Sequence, residues 1–242
     1  EIADRDWSSD VCSSDLDRFA SLIHLELDMA KAVAGADVVI ETMSEDPKAK
    51  IGVYTALKDL LPEKTILCTN SSTMLPSSFA AYTGRPEKYC ALHFANTIWK
   101  NNTAEIMGHA GTDEAVFRQV VAFAAEINMV PLELHKEQPG YILNSMLVPF
   151  LNAAEALWAN EVADPETIDL TWQLATSAPA GPFKILDIVG LETAYNINRM
   201  RPDVKTEGTV SYKIDQLLKA KIDRGETGVN AGKGFYDYRK QG

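Results

Sequence analysis

Three short apolar runs, ADVVIETM (36–43), TILCTN (65–70) and YCALHFA (89–95), constrain the fold of this chain more than any other feature in it. Each is too short for a helix and rich in β-branched, aromatic or other apolar residues, with Val38, Val39 and Ile40 uninterrupted in the first. Such runs suit strands buried on both faces, which are typically parallel and joined by helical crossovers. The intervening text agrees: Pro47 opens a stretch with Ile51, Tyr54, Leu57, Leu60 and Leu61 at helical spacing, and Pro62 stops it. The same scheme makes SLIHLEL (21–27) a strand and DMAKAVAG (28–35) a short helix ended by Gly35. It makes SSTMLPSSFAAYT (71–83) a loop with a short helix, DEAVFRQVVAFAAEI (113–127) a helix and VPLELH (130–135) a strand. Alternating strand and helix predicts a doubly wound parallel sheet.

After His135 the period becomes helical and stays so. GYILNSMLVPFLNAAEALWANEV (140–162) is apolar on most faces and is expected to be a central, largely buried helix with a kink at Pro149. PETIDLTWQLATS (165–177), GPFKILDIVGLETAYNINRM (181–200) and VSYKIDQLLKAKIDRG (210–225) add further helices, and GKGFYDY (232–238) closes in a turn. The expected organisation is α/β over residues 17–137, then all-α over 138–242. No internal repeat of solenoid period is present. Residues 1–16 are set apart. The string DWSSDVCSSDL (6–16) has SSD twice and no periodicity, and it also reads as the translation of a sequencing-library adapter. It is expected to be non-native, with the native text starting near Asp17.

With 242 residues, 46% hydrophobic and 24% charged, the chain has ample material for a core. A net charge of -11 argues against nucleic acid or an anionic membrane surface as partner. The longest apolar stretches meet Asn, Glu or Lys before the roughly 20 residues of a membrane span, so no membrane association is expected. Cys12, Cys68 and Cys90 have neither zinc-ligand spacing nor an even count. They read as reduced thiols, which suits a cytoplasmic protein.

The chemistry-bearing residues cluster after the three runs: Glu41, Glu45 and Lys50 after the first, Asn70, Ser71 and Ser72 after the second, His93 and Asn96 at the end of the third. In a parallel sheet these connections share one edge, where open α/β sheets bind ligands. Glu105 is expected at or just before the start of a strand beside the third connection. A carboxylate on one ring nitrogen of His93 would fix the imidazole tautomer and leave the other nitrogen to accept a proton, without a metal. The plainer role for His93 is a half-buried imidazole satisfied by its nearest acceptor. Asn144, amid Ile142, Leu143, Met146 and Leu147, is a polar residue in the most apolar helix. It serves either as a helix-end amide or as a donor reaching the substrate oxygen beside His93.

The segments ADVVIETMSEDPKAK, ILCTNSSTMLP, HFAN followed by AEIM, QPGYILNSMLVPFLNAAE, APAGPFKILDIVGLE and GKGFYDY, in this order, resemble the L-3-hydroxyacyl-CoA dehydrogenase family over about Ala34 to Tyr238. The resemblance implies a Rossmann-type NAD-binding domain followed by a helical domain that binds substrate and forms a homodimer. It implies NAD as cofactor, a 3-hydroxyacyl-CoA substrate and a place in fatty-acid β-oxidation. It makes His93 the acid/base for the substrate's 3-hydroxyl, Glu105 its holder, and Ser72 and Asn144 hydrogen-bond donors to that oxygen. Glu45, Lys50, Ser72 and Asn96 would face the nicotinamide half of NAD.

Two departures qualify the resemblance. The family's HFFNP is HFANTIWKNN here, so Trp99, Lys100, Asn101 and Asn102 make a bulkier, more polar wall, which suits a non-CoA 3-hydroxy acid such as carnitine. Asn230 stands where a lysine is common in the family. The sequence also contains no GxGxxG, the turn that brings backbone amides to a dinucleotide pyrophosphate. The expectation is an incomplete Rossmann-type domain in a truncated, inactive piece of a dehydrogenase. A non-catalytic structural relative is the remaining alternative.

Overall fold

The structure, a computed structural model, describes residues 18 and 20–239. The segment 6–16, expected to be non-native, lies outside these residues. The chain divides into two compact units, Glu1–Tyr141 and Ile142–Gly242.

In the first unit, helix α1 (Met29–Val33) precedes strand β1 (Val38–Glu41), helix α2 (Pro47–Leu57), strand β2 (Ile66–Thr69) and strand β3 (Tyr89–Phe94). Strand β4 (Thr103–Met107), helix α3 (Glu114–Glu126) and strand β5 (Val130–Leu134) follow. The sheet order is β1-β2-β3-β4-β5. β1, β2 and β3 are mutually parallel, β3 and β4 antiparallel, β4 and β5 parallel.

The apolar runs are explained by burial on both faces. Ile66, Cys68, Cys90 and Leu92 pack on one side against Val116, Phe117, Val120 and Ala124 of α3. Leu67 and Tyr89 pack on the other against Tyr54, Leu57, Leu61 and Phe79. Each large apolar side chain so enclosed contributes roughly 1.5–3 kcal/mol. Asp46 and Asp113 cap α2 and α3 by accepting from first-turn amides, satisfying donors that a helix start leaves open.

One expectation fails here, and another holds with one exception. Residues 21–27, read as a strand from SLIHLEL, form none: Ser21 is helical, Leu22 is in a turn, 23–27 take no regular structure, and Leu25 and Leu27 are exposed. Their apolar spacing mimics a half-buried strand, but no neighbouring strand pairs with them in the described sheet. The sheet is also not wholly parallel. The connection 95–102 between β3 and β4 is shorter than the dozen or so residues a parallel crossover needs, so β4 returns antiparallel.

The second unit carries α4 (Tyr141–Ala159, counted from the last residue of the first unit), α5 (Pro165–Thr176), α6 (Pro182–Val189), α7 (Leu191–Arg199) and α8 (Val210–Ile222). GPFKILDIVGLETAYNINRM, read as one helical stretch, is two helices broken at Gly190, whose φ of 94° suits glycine. Helix α4 runs through Pro149. The expectation that α4 is largely buried does not hold: Ile142, Leu143, Met146 and Leu157 are exposed. α4 is long and apolar enough to cross a membrane by length and composition alone, a test that core helices also pass.

The tail motif GKGFYDY is fastened by two buried carboxylates. Asp187 accepts from the Phe235 and Tyr236 amides and the Tyr238 hydroxyl, and Asp169 from the Phe183 and Lys184 amides and the Tyr236 hydroxyl. A side chain on Gly234 would meet the Asp187 carboxylate, which is why glycine stands there.

Candidate active site

Because β1, β2 and β3 are parallel, the connections 42–46, 70–75 and 95–102 leave from one edge of the sheet. Side chains tie them together. Glu45 accepts from the Ser71 and Thr73 hydroxyls, each at 2.8 Å, joining the first connection to the second. The Asn70 side-chain carbonyl accepts from the Phe94 amide at 3.0 Å, joining the second to the end of β3.

His93 and Glu105 are directly opposite in the β3–β4 register, so their side chains leave the same face as cross-strand neighbours. The Glu105 carboxylate lies 3.0 Å from His93 Nδ1, and both side chains are buried. An ionised carboxylate can only accept, so this pair places a proton on Nδ1 and leaves Nε2 as the ring's open acceptor. Glu105 is the middle residue of β4, not a residue at its start as expected. The short return after β3 produces that register. Tyr141 stacks on the imidazole, ring centroids 4.5 Å apart at 21°.

Beneath this edge is a polar network inside the apolar core. Glu41, at the end of β1, accepts from Lys50 Nζ at 2.9 and 3.2 Å, from the Tyr54 hydroxyl, from Thr69 Oγ1 at 2.9 Å and from the Met43 amide. Burial alone would raise the Glu41 carboxyl, but the hydrogen bonds from Tyr54, Lys50, Thr69 and Met43 outweigh it and hold the group below the usual carboxylate value. Burial pushes the phenols of Tyr54 and Tyr89 up, so both stay neutral; the Tyr89 hydroxyl donates to that of Tyr54 at 3.0 Å. The Lys50 ammonium also reaches the Met43 carbonyl at 3.3 Å and the Glu45 carboxylate at 3.6 Å. Lys50 itself is 0% exposed, so its charge is spent inside the domain rather than presented at the edge.

Ser72 is half-buried in the second connection, next to the Ser71 that Glu45 holds. Asn96 is exposed in the third, and its carbonyl accepts from Thr97 Oγ1 and Asn101 Nδ2. Trp99 is 72% exposed in the same connection. Asn144 lies half-buried on α4 in the second unit. The first unit thus gathers His93, Glu105, Glu45, Lys50 and the Ser71–Ser72 turn. Sequence reasoning missed Tyr54, Thr69, Tyr89 and Tyr141; the one available signal was Glu41, a carboxylate ending an apolar strand.

Comparison with known proteins decides the family. The sequence profile described as "3-hydroxyacyl-CoA dehydrogenase, NAD binding domain" matches residues 3–138, and that described as "3-hydroxyacyl-CoA dehydrogenase, C-terminal domain" matches 140–238. The chain belongs to the 3-hydroxyacyl-CoA dehydrogenase family. A 3-hydroxybutyryl-CoA dehydrogenase of Clostridioides difficile is 33% identical over 205 residues, covering 84% of this chain and 72% of that protein. The human mitochondrial hydroxyacyl-coenzyme A dehydrogenase is 29% identical over 241 residues, covering 99% and 76%. A solved diketoreductase, described with dual catalysis of dicarbonyl compounds, superposes with a TM-score of 0.88 at 48% identity, covering 96% of this chain and 80% of that one.

The first unit is accordingly this family's NAD-binding domain, and NAD is its cofactor. This edge offers polar groups to a cofactor: the Ser72 hydroxyl, which can donate or accept, and the Glu45 carboxylate, which accepts, stand on tied connections at the carboxyl edge of parallel strands.

Proposed function

We propose that the site on this chain serves its family's reaction, oxidation of the 3-hydroxyl of an L-3-hydroxyacyl substrate to a ketone, with His93 as the acid/base. The buried His93–Glu105 pair supports this reading most strongly. Nε2 accepts the hydroxyl proton while Glu105 holds the ring and stabilises the imidazolium that forms. NAD, when bound, supplies the chemistry of accepting the hydride. Ser72 donates to the oxygen that becomes the ketone. Glu45 and Asn96 hold the nicotinamide side, and Lys50 supports Glu45 from within.

A substrate without CoA is the second reading. The 48% identity to a diketoreductase favours it, together with the polar wall of Trp99, Lys100, Asn101 and Asn102. Asn101 braces that wall by donating to the Asn96 carbonyl and Thr97 Oγ1 at 2.9 Å, and Asn102 donates to the Asn128 carbonyl. The test measures NAD affinity by calorimetry, then kcat/KM for 3-hydroxybutyryl-CoA, carnitine and, in reverse, a small 1,3-diketone. A preference of tenfold or more for the CoA ester, about 1.4 kcal/mol, supports the first reading. The opposite preference supports the second. NAD binding with no turnover of any substrate contradicts both and points to a non-catalytic relative.

Pairing of two copies belongs to the same proposal. The helical unit exposes Met146, Leu170, Trp172, Leu174, Ile188 and Met200, large apolar side chains that a second copy would cover. Light scattering after gel filtration should give twice the 26.6 kDa of one chain. A single-chain mass at micromolar concentration would overturn the pairing.

A further inference from the structure

We propose that Tyr141 is a positioning residue for His93, holding the imidazole plane by face-to-face stacking. The proposal deepens the reading above and rests on His93 being its proton acceptor. Glu105 grips His93 at a single nitrogen, from the neighbouring strand. One hydrogen bond fixes a distance but leaves the ring free to tilt about it. The Tyr141 ring removes that freedom: it is 0% exposed, its centroid is 4.5 Å from the imidazole, and the two planes lie within 21°.

The placement is built rather than incidental. Tyr141 packs with Ala91 and Met107, which face each other in the same β3–β4 register as His93 and Glu105, two residues along each strand. The carboxylate and the aromatic ring therefore approach the imidazole from one continuous patch of sheet. The Tyr141 backbone sits at φ 54°, a left-handed conformation that a bulky non-glycine residue adopts only when its surroundings require it. Its amide donates to the Gln138 carbonyl at 2.9 Å, and Gly140 before it is also left-handed, so the turn delivers the ring to this spot before α4 proceeds. Burial raises the phenol well above its ordinary value, which keeps the stacked ring neutral and leaves its face electron-rich toward an imidazolium.

Two variants test the role. Tyr141→Met fills similar space with a flexible chain and no ring face; Tyr141→Phe keeps the face and removes the hydroxyl. Tyr141→Met is expected to lower kcat about tenfold with KM within about twofold, and Tyr141→Phe to restore kcat. Carbon-13 relaxation of the His93 ring in the free protein reads the same effect without turnover. Wild type and Tyr141→Phe should show a rigid ring and Tyr141→Met a mobile one, with the Nδ1 proton that Glu105 fixes unchanged in all three. A rigid ring and near-wild-type kcat in Tyr141→Met overturn the proposal, as does an equal loss in Tyr141→Phe. Should Tyr141→Met fail to fold, pentafluorophenylalanine at 141 keeps the shape and reverses the polarity of the face. It must then lower kcat about tenfold relative to Tyr141→Phe, and parity overturns the proposal. A wild type inactive on every substrate, with the change in ring mobility intact, overturns the enzyme reading and supports the stack.

Discussion

His93→Asn is expected to slow NADH formation by about 100- to 10,000-fold, the usual worth of a positioned general base, with KM little changed. The reason lies in the pair described above: Glu105 occupies Nδ1 at 3.0 Å, so Nε2 is the nitrogen left to take the hydroxyl proton. An asparagine fills similar space and can accept a hydrogen bond from the substrate, but it cannot accept the proton. Glu105→Gln should fall between wild type and His93→Asn, because the amide can still touch the ring but no longer balances an imidazolium. A histidine that served only as core filler would give another pattern, with altered unfolding and kcat within a few fold. Steady-state kinetics at saturating NAD, beside a thermal melt of each variant, separates the two.

Lys50→Met should be the most damaging change to stability in the first unit, at about 3–5 kcal/mol. It leaves the Glu41 carboxylate buried without the cation that donates to both its oxygens. The double change Glu41→Gln with Lys50→Met should cost less than Lys50→Met alone, since no uncompensated charge remains. Hydrogen exchange at the amides of β1, β2 and β3 reads this unit separately, and protection there should drop roughly a hundred- to several-thousand-fold in Lys50→Met. Equal protection in the single and double variants would show that the charge pair is not what holds this edge. The pH dependence follows from the direction of the Glu41 shift. Its folded value lies below the ordinary 4.5, so its contribution is complete above that pH and is lost as pH falls through the lower folded value.

Much of the architecture was legible from local pattern. Val38–Ile40, Ile66–Cys68 and Tyr89–Leu92 read as two-face-buried strands because both neighbours of each strand are apolar, and that signal survives without any knowledge of the partners. The pairing of His93 with Glu105 was expected and is present, but its directly opposed register, set by a short return between β3 and β4, was not legible, because no property of either residue alone announces it. The burial of Lys50 was not legible for a different reason: lysine usually stands at the surface, and only the Glu41 carboxylate, the Met43 carbonyl and the nearby Glu45 carboxylate make an enclosed ammonium tolerable. Residues 22–27 show the reverse error, an apolar pattern with no sheet position to fill. Helix α4 misled because an apolar sequence on most faces says that water should be excluded, not by what.

The most direct measurement is chemical rescue of His93→Gly. A glycine at 93 removes the imidazole and leaves Glu105 on β4 beside the space it occupied. If His93 is the proton acceptor, added imidazole should restore NADH formation in proportion to its concentration while leaving wild type unaffected. A folded, NAD-binding His93→Gly protein that imidazole cannot rescue, or one that never lost activity, would contradict the account.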